Sequence, residues 1–289
     1  MRDIIVIVGP TGVGKTKLSI DLAKRLDGEI INGDSVSIFK RLNIASAKPT
    51  IEEREGIKHH LIDIKNIDED YSVYDYQNDA REKIDEINSK NKRVIIVGGT
   101  GLYIKAALYN YKFTKGTTYN TYDNLPNEQL YSKIKSLDNN IEIHKNNRKR
   151  LVRVLNKLEN NEEISNDKDN LLYPVKIIGL TTDRSTLYER INQRVDNMIK
   201  NGLLGEIDSL KDSYKTSRIL NSAIGYKEFY DYLENNKSLE DVVKEIKKNS
   251  RHYAKRQYTF FNNQMKVAWF DADFNNFERT IDKVIDYLN

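Results

Sequence analysis

The feature that most constrains the fold is a short β-branched run followed at once by a phosphate-binding loop. Ile4–Val8 is continuously apolar, which is typical of a parallel strand buried on both faces of a sheet. Gly9–Thr16 reads Gly-Pro-Thr-Gly-Val-Gly-Lys-Thr and matches the P-loop pattern G-x-x-x-x-G-K-[ST]. A helical pattern follows, with Leu18, Leu22 and Leu26 on one face. Strand, loop and helix in this order predict a P-loop that binds phosphate groups.

The alternation of strands and helices continues along the first part of the chain. Glu29–Asn32 and Val94–Val97 predict further buried strands. Ser72 can cap a helix that runs to about Asn88. Such alternation predicts an α/β fold, namely a P-loop NTPase-like parallel sheet with helices on both faces.

The character of the sequence changes after Phe113. Thr114–Asn124 is polar and rich in tyrosine, and helical patterns follow at Leu130–Leu137 and Arg150–Leu158. We therefore expect residues 114–171 to form a small helical insertion, between a first part of the core at 1–113 and its completion at 172–289. Further elements are predicted at Lys176–Leu180, Leu187–Lys200, Leu203–Leu210, Leu239–Phe261, Val267–Phe270 and Phe277–Leu288.

Composition excludes several classes of site. The chain of 289 residues contains no cysteine, which excludes disulfides and cysteine-based zinc sites. Its formal net charge of +4 does not by itself indicate a nucleic-acid partner. No run approaches the ~20 apolar residues that a membrane helix needs, and Ile4–Val8 is too short for a signal peptide. A soluble, cytoplasmic and monomeric protein is expected.

The predicted phosphate site consists of the loop residues Gly9, Pro10, Thr11, Gly12, Val13, Gly14, Lys15 and Thr16. Backbone N–H groups and the Lys15 ammonium would surround a di- or triphosphate, and the Thr16 hydroxyl could ligate Mg²⁺. Kinases and ATPases usually place an aspartate after a later strand. Here Val94–Val97 is followed by Gly98-Gly99-Thr100, so Asp34, after the second strand, is the main candidate acid, and Asp271 is a weaker one.

Two basic clusters are candidates for contact with RNA phosphates. One lies on the predicted helix Leu239–Phe261 and contains Lys244, Lys247, Lys248, Arg251 and Lys255 at helical spacing. The other lies in the insertion and contains Lys145, Arg148, Lys149, Arg150 and Arg153. A stripe of one charge sign on one helix face is a plausible phosphate track. The alternative is an ordinary solvated helix face in a lysine-rich protein.

The order of motifs along nearly the whole chain resembles the bacterial tRNA dimethylallyltransferases, also called tRNA isopentenyltransferases. The motifs before the insertion are 9–16, Gly33-Asp34-Ser35, Ala45-Ser46-Ala47-Lys48-Pro49, His59-His60-Leu61-Ile62-Asp63 and Gly98-Gly99-Thr100-Gly101-Leu102-Tyr103. The later ones are Arg150-Leu151-Val152-Arg153, Arg190-Ile191, Arg194-Val195-Asp196, Met198, Ala223-Ile224-Gly225-Tyr226 and 251–257.

This resemblance implies transfer of a dimethylallyl group from dimethylallyl diphosphate to the exocyclic amine of the adenosine on the 3′ side of the anticodon, position 37. It implies Mg²⁺ as cofactor, Asp34 as general base and Thr100 beside the reacting adenosine. The residues implied to meet the tRNA anticodon stem-loop are Asp34, Ser35, Val36, Ser37, Thr100, Lys149, Arg150, Leu151, Val152 and Arg153. The sequence departs from the family's usual glutamine at Ser37 and its usual arginine at Asn262.

Other functions stay open at this point. A prenyltransferase acting on a free adenine nucleotide, as in cytokinin formation, would need neither the insertion nor the basic clusters. A small-molecule kinase would use the same P-loop and turn over ATP. An RNA-binding protein with an inactive loop would not need Lys15, Thr16 and Asp34 intact.

Overall fold

A computed structural model of the protein describes residues 2–111, 120–162 and 170–289. The chain forms two compact units, one made of Met1–Leu108 with Leu171–Asn289 and the other of Tyr109–Asn170. The smaller unit begins earlier than the predicted insertion at 114, because the preceding helix of the larger unit ends at Leu108. The polar segment predicted at Thr114–Asn124 lies largely outside the described residues.

The larger unit contains the alternating strands and helices that the sequence predicts. Its first part holds β1 (Ile4–Val8), α1 (Lys15–Arg25), β2 (Gly28–Asn32), β3 (His59–His60), α2 (Val73–Ser89), β4 (Arg93–Val97) and α3 (Gly101–Leu108). The smaller unit holds α4 (Asn127–Leu137) and α5 (Arg148–Glu159). The larger unit resumes with β5 (Val175–Thr181), α6 (Arg184–Lys200), α7 (Leu203–Leu210), α8 (Tyr230–Leu233), α9 (Leu239–Gln264), β6 (Ala268–Asp271) and α10 (Phe277–Leu288).

The six strands form one parallel sheet in the order β3-β2-β4-β1-β5-β6. β1 lies inside the sheet, with Val6 opposite Ile96 of β4 and Ile177 of β5. Because all strands run the same way, their carboxyl ends meet at one edge, where open α/β sheets bind ligands. This edge brings together the P-loop after β1, Asp34 after β2 and the glycine-rich turn after β4. The predicted P-loop α/β fold is confirmed.

The side chains of β1 are buried on both faces of the sheet, as its β-branched sequence predicts. Ile5 and Ile7 belong to a core cluster that includes Leu18 of α1 and Ile281 of α10. Since successive side chains of a strand point to opposite faces, Val6 points to the other side of the sheet, and it is 0% exposed. Burial on both sides fixes the position of the loop that β1 carries.

Helix α3 was not predicted, and its burial explains why. Every side chain from Tyr103 to Leu108 is buried, so the helix lacks the polar face that gives a surface helix its 3.6-residue period. The two-residue strand β3 is too short to produce a recognisable alternation. Both elements follow from packing in the complete fold and not from a local pattern.

The smaller unit is built around the helix pair α4 and α5. Leu130 and Ile134 of α4 pack with Leu151 and Leu155 of α5 in a separate core cluster. Both helices were predicted, with slightly shorter bounds. Among the described residues, no helix of the protein is long and apolar enough to cross a bilayer.

Candidate active site

A cavity of about 370 Å³ opens at the carboxyl edge of the sheet, within the larger unit. Its floor is formed by the P-loop and by the turns after β2 and β4, and helices α6 and α9 form its sides. The charged and titratable residues that line it are Lys15, Asp34, His59, Arg194, Lys227, Tyr253 and Arg256. Among the lining residues that the structure describes, Asp34 carries the single carboxylate, so the cavity favours an anionic ligand.

The P-loop adopts a backbone that depends on glycine at particular positions. Gly9 and Gly14 have φ angles of 133° and 92°, which side-chain-bearing residues rarely adopt. A Cβ on Gly14 would lie 2.6 Å from the Phe277 ring of α10, and one on Gly9 would meet the carbonyl of Leu180 on β5. Close contacts with β5 and α10 therefore leave no room for a side chain at these two positions of the loop.

Lys15 closes the P-loop from within. Its ammonium donates hydrogen bonds to the carbonyl oxygens of Gly9 at 3.0 Å and Pro10 at 2.7 Å. Burial, and then the nearby positive charge of Arg194, lowers the pKa of Lys15 to about 7, while Asp34 acts in the opposite direction. An anion bound in the loop would supply the opposite charge that favours the protonated ammonium.

The eight predicted phosphate-site residues have different positions. Thr11, Lys15 and Thr16 line the cavity. Pro10 has no N–H to offer to a phosphate, and with Gly9 it contributes the carbonyls that hold Lys15. Val13 has a fully buried side chain in the core. The predicted site is thus divided between groups that face a ligand and groups that shape the loop.

Two arginines of α6 reach the P-loop side of the cavity. The Nε of Arg190 donates to the carbonyl of Gly12 at 2.8 Å, and its guanidinium lies 3.7 Å from the centre of the Phe274 ring. Arg194 lines the cavity, and its Nη2 lies 3.4 Å from the carbonyl of Ser46. Arg190 steadies the loop, whereas Arg194 presents a positive charge to whatever the loop binds.

Asp34 is oriented by the turn that follows β2. Its N–H donates to Oδ1 of Asn32 at 3.0 Å, and its Oδ1 accepts the N–H of Val36 at 3.0 Å. Asn32 is itself fixed, since its Nδ2 donates to the carbonyls of Asp34 and Leu61, both at 2.9 Å. One carboxylate oxygen is thereby used to hold the turn, and Oδ2 makes no hydrogen bond within the part of the chain that the structure describes.

Thr100 lies behind the cavity wall in this structure. Its Oγ1 accepts the N–H of Ser35 at 3.0 Å and donates to the Ser35 hydroxyl at 3.2 Å, and Thr100 is not among the residues that line the cavity. Its hydroxyl joins the turn after β4 to the turn that carries Asp34. Ser35, Val36 and Ser37 do line the cavity, although Ser37 is only 5% exposed.

Gly99 allows helix α9 to approach the turn after β4. Gln257 donates from Nε2 to the carbonyl of Gly99 at 3.0 Å, and the Tyr253 hydroxyl donates to the same carbonyl at 3.3 Å. A Cβ on Gly99 would collide with Gln257 and lie 3.8 Å from Oδ2 of Asp34. Gln257 Oε1 is buried without a hydrogen-bond partner among the described residues.

Apolar side chains form a wall of the cavity. It contains the small or aliphatic side chains Ala45, Ala47, Ile62, Val195, Met198, Ile219, Ala223 and Ile224. The cavity therefore combines a cationic end at Lys15 and Arg194 with an apolar surface and a carboxylate. This combination suits a ligand with an anionic group attached to a small hydrocarbon.

The residues present fit a divalent cation that arrives with a phosphorylated ligand. Thr16 lies at the mouth of the loop, is exposed, and lines the cavity. No cluster of three or more histidine, cysteine, aspartate or glutamate side chains is found within the described ranges. Mg²⁺ commonly binds through few protein ligands together with substrate phosphates and waters, and the Thr16 hydroxyl is suited to such a site.

The basic stripe predicted on α9 is partly used inside the fold. Lys247 forms an ion pair with Asp196 of α6 at 2.6 Å, and Arg251 donates to Asn192 of α6 at 2.6 Å. Lys248 and Lys255 are exposed. The face of α9 that lines the cavity instead carries Ser250, Tyr253, Arg256 and Gln257. Part of the basic stripe therefore binds α6, and the rest is exposed to solvent.

The second predicted basic cluster lies on α5 in the smaller unit. Lys149, Arg150 and Arg153 are exposed. Arg148 is held within the unit, with Nη1 and Nη2 donating to the carbonyls of Leu125 at 2.7 Å and Tyr122 at 2.6 Å. The Leu151 side chain is 0% exposed in the core of this unit, so the predicted contact with tRNA cannot involve that side chain. Val152 is partly buried against the same core.

Sequence reasoning assigned no role to several residues of the cavity. Arg190 and Arg194 are four residues apart on α6, and Tyr253 and Gln257 have the same spacing on α9. Residues i and i+4 share a helix face, so a search for polar pairs on otherwise apolar faces could have found them. The stripe of like charge on α9 lies on a different face from the one that lines the cavity, and its contact with RNA stays a prediction.

Comparison with known proteins agrees with the geometry. The family model described as IPP transferase matches residues 37–264. A tRNA dimethylallyltransferase from Anoxybacillus flavithermus is 44% identical over 297 residues, covering 99% of this chain and 96% of the relative. One from Bacillus cereus is 46% identical over 284 residues, covering 93% of this chain and 90% of the relative.

Solved structures give the same result. The tRNA delta(2)-isopentenylpyrophosphate transferase of Staphylococcus epidermidis aligns with a TM-score of 0.77 at 38% identity, covering 100% of this chain and 99% of the other. A eukaryotic dimethylallyltransferase acting on tRNA aligns with a TM-score of 0.82 at 27% identity, covering 99% and 78%. The P-loop, the carboxylate and the apolar wall thus occur in a chain that belongs to the IPP transferase family.

Proposed function

We propose that this protein is a tRNA dimethylallyltransferase, which joins a dimethylallyl group to the exocyclic N6 amine of the adenosine at position 37 and releases diphosphate. The observation that carries the proposal is the combination of a cationic P-loop, a small apolar wall and one carboxylate in a single cavity. The names of the relatives, at 44% and 46% identity over nearly the whole chain, support the same reaction.

The leaving group is bound by the P-loop. When the allylic carbon–oxygen bond breaks, the bonding electrons stay with the diphosphate, whose negative charge increases. The ammonium of Lys15, the guanidinium of Arg194 and the loop N–H groups lie where they stabilise that charge. Losing one preorganised donor of this kind typically raises a barrier by ~3–4 kcal/mol.

The acceptor amine is activated by Asp34. The N6 lone pair, which is delocalised into the adenine ring, forms the new carbon–nitrogen bond, and a proton leaves N6. Asp34 Oδ2 is available to take that proton, because Oδ1 is held by the Val36 N–H. General bases of this kind typically contribute roughly 10²–10⁴-fold in rate.

A divalent metal is used in this family generally, and we propose Mg²⁺. The Thr16 hydroxyl would hold it together with oxygens of the donor diphosphate. When bound, the ion neutralises part of the charge of the leaving diphosphate.

The proposed acceptor is a nucleotide within tRNA. An adenosine stacked in the anticodon loop must be turned out of its stack to reach the cavity, at a cost of a few kcal/mol. We propose that the exposed Lys149, Arg150 and Arg153 of α5 and the exposed Lys248 and Lys255 of α9 bind RNA phosphates. We propose that the enzyme acts in the cytoplasm as a single chain.

Two alternative functions are less well supported. A kinase would need groups that orient an acceptor for phosphoryl transfer, whereas one wall of this cavity consists of small or aliphatic side chains. A prenyltransferase for free adenine nucleotides would not need the exposed cations of α5.

The decisive experiment combines purified protein, unmodified tRNA, labelled dimethylallyl diphosphate and Mg²⁺, followed by nucleoside analysis. We expect the label on adenosine at position 37. AMP and ATP serve as competing acceptors, and an ATP-consumption assay is run in parallel. Label transfer to AMP in preference to tRNA, or phosphorylation of an acceptor without prenyl transfer, would refute the proposal.

We predict that Asp34→Asn lowers kcat at least ~10²-fold while tRNA affinity stays nearly unchanged. Asparagine keeps the Oδ1 that accepts the Val36 N–H but cannot take a proton from N6. The matched control is Asp271→Asn, because Asp271 also ends a strand but is exposed and lies outside the cavity lining. Turnover of Asp34→Asn near the level of the control would show that Asp34 is not the base.

We predict that diphosphate affinity falls as pH rises above about 7. The pKa of Lys15 is about 7 in the free protein, and a bound anion raises it. Binding therefore takes up a proton. Above pH 7 the affinity falls by up to tenfold per pH unit, until the pH reaches the pKa of Lys15 in the complex. Calorimetric titration with inorganic diphosphate and Mg²⁺ between pH 7 and 8.5 measures this slope. Lys15→Met should bind more weakly with a shallower slope; parallel profiles for the two proteins would contradict the role of Lys15.

We predict that replacing Lys149, Arg150 and Arg153 together by glutamine weakens tRNA binding and flattens its salt dependence. The log–log slope should fall by about 0.7–0.9 for each RNA phosphate that the variant no longer neutralises. The control replaces Lys83, Lys90 and Lys92, which form ion pairs with acidic residues such as Glu86 and Asp27. Equal slopes for the two triple variants would mean that α5 does not track the phosphate backbone.

A further inference from the structure

Glu206 of α7 lies outside the cavity lining, but its carboxylate organises one wall of the cavity. Oε2 accepts the N–H groups of Asn43 at 3.0 Å and Ile44 at 2.9 Å, and Oε1 accepts the hydroxyl of Tyr226 at 2.7 Å. Burial, followed by the Glu206 charge, raises the pKa of Tyr226, so this phenol stays a donor. A partly buried carboxylate with three donors is a fixed point of the structure.

The backbone that Glu206 grips belongs to a tight turn at residues 42–48. Within it, the N–H of Ala47 donates to the carbonyl of Ile44 at 3.0 Å, and the Ser46 hydroxyl donates to the carbonyl of Leu42 at 2.6 Å. The middle of the turn, Ala45, Ser46 and Ala47, lines the cavity. Fixing the start of the turn therefore fixes this part of the wall.

The same carboxylate ties the turn to the segment before α8. Tyr226 is 0% exposed, and the preceding Gly225 has a φ of 91°. A Cβ on Gly225 would lie 2.7 Å from the Cβ of Ala45, so the two segments pack backbone against side chain. Ala223 and Ile224, just before Gly225, are also part of the apolar wall.

Ser46 connects the turn to the cationic part of the cavity. Its carbonyl accepts the Nη2 of Arg194 at 3.4 Å, which is the one hydrogen bond that Arg194 makes across residues 2–111, 120–162 and 170–289. Arg194 is close enough to Lys15 and Asp34 to influence both electrostatically. The position of the Ser46 carbonyl therefore governs where this guanidinium points.

We propose that Glu206 is a positioning residue for diphosphate binding, which acts by fixing the turn 42–48 and through it the guanidinium of Arg194. The inference rests on the proposed function insofar as Arg194 meets a diphosphate. Glu206 does not line the cavity, and the Lys15 ammonium donates to Gly9 and Pro10, so we expect the effect of Glu206 to pass through Arg194.

The first test measures binding of inorganic diphosphate with Mg²⁺ to the full chain by calorimetry. Glu206→Gln keeps the size of the side chain but brings an N–H₂ group toward backbone donors, and we expect Kd to rise about tenfold. Asp208→Asn is the matched control, since Asp208 is an exposed acid on the same helix, and its Kd should equal that of the wild type. An unchanged Kd for Glu206→Gln would overturn the proposal.

A double-mutant cycle separates positioning from general loosening of the fold. If Glu206 acts through Arg194, the Glu206→Gln, Arg194→Gln double variant binds diphosphate no more weakly than Arg194→Gln alone. Additive effects of the two substitutions would overturn the proposal. The pH profile gives a second readout, because the slope assigned to Lys15 should change in Glu206→Gln and stay unchanged in Asp208→Asn.

Tyr226→Phe tests the same network if Glu206→Gln does not fold. It removes one hydrogen bond and keeps the buried ring, and we expect Kd to rise about threefold, again without additivity to Arg194→Gln. An additive effect, or an unchanged Kd, would count against the network. If the wild-type protein binds no diphosphate, the proposed function fails; if it binds but the variants match it, only the role of Glu206 fails.

Discussion

The interaction on which the site depends is the enclosure of the Lys15 ammonium by the carbonyls of its own P-loop. It exists because β1 is buried on both faces and delivers the loop to the carboxyl edge of a parallel sheet. Burial and the nearby Arg194 lower the pKa of Lys15 to about 7, so the free site holds a cation that an anion would stabilise. Affinity for a phosphorylated ligand is therefore built into the unliganded fold.

The rest of the cavity suits a reaction in which a diphosphate leaves carbon. Lys15 and Arg194 lie together at the P-loop, Asp34 follows β2, which β4 separates from β1, and small apolar side chains form one wall. A phosphoryl-transfer site would not need such a wall, whereas a short prenyl group would occupy it. The turn at 42–48 contributes Ala45 and Ala47 to the apolar wall and accepts a hydrogen bond from Arg194, so this turn joins the apolar and cationic parts of the cavity.

Local patterns predicted much of the fold and part of the site. The strands around the P-loop, the long helices and the helical insertion all have periodicities of their own, and Asp34 stands out because it follows a strand. Local patterns do not show which tertiary partners a side chain has. Lys247 and Arg251 belong to a basic stripe and bind α6, the Leu151 side chain lies within a basic motif and packs in a core, and the Thr100 hydroxyl binds Ser35.

By itself, the sequence determined the P-loop, the strand before it and the order of motifs that marks the family, since these depend on residues adjacent in the chain. Only the tertiary structure decided which residues that are distant in sequence come into contact. Arg194 lies near Lys15, Gln257 contacts Gly99, and Glu206 binds the backbone of Asn43 and Ile44. The physical reason is that hydrogen bonds and charges act over a few ångströms. The pairs that tune this site are far apart in sequence and come together only when the sheet is complete.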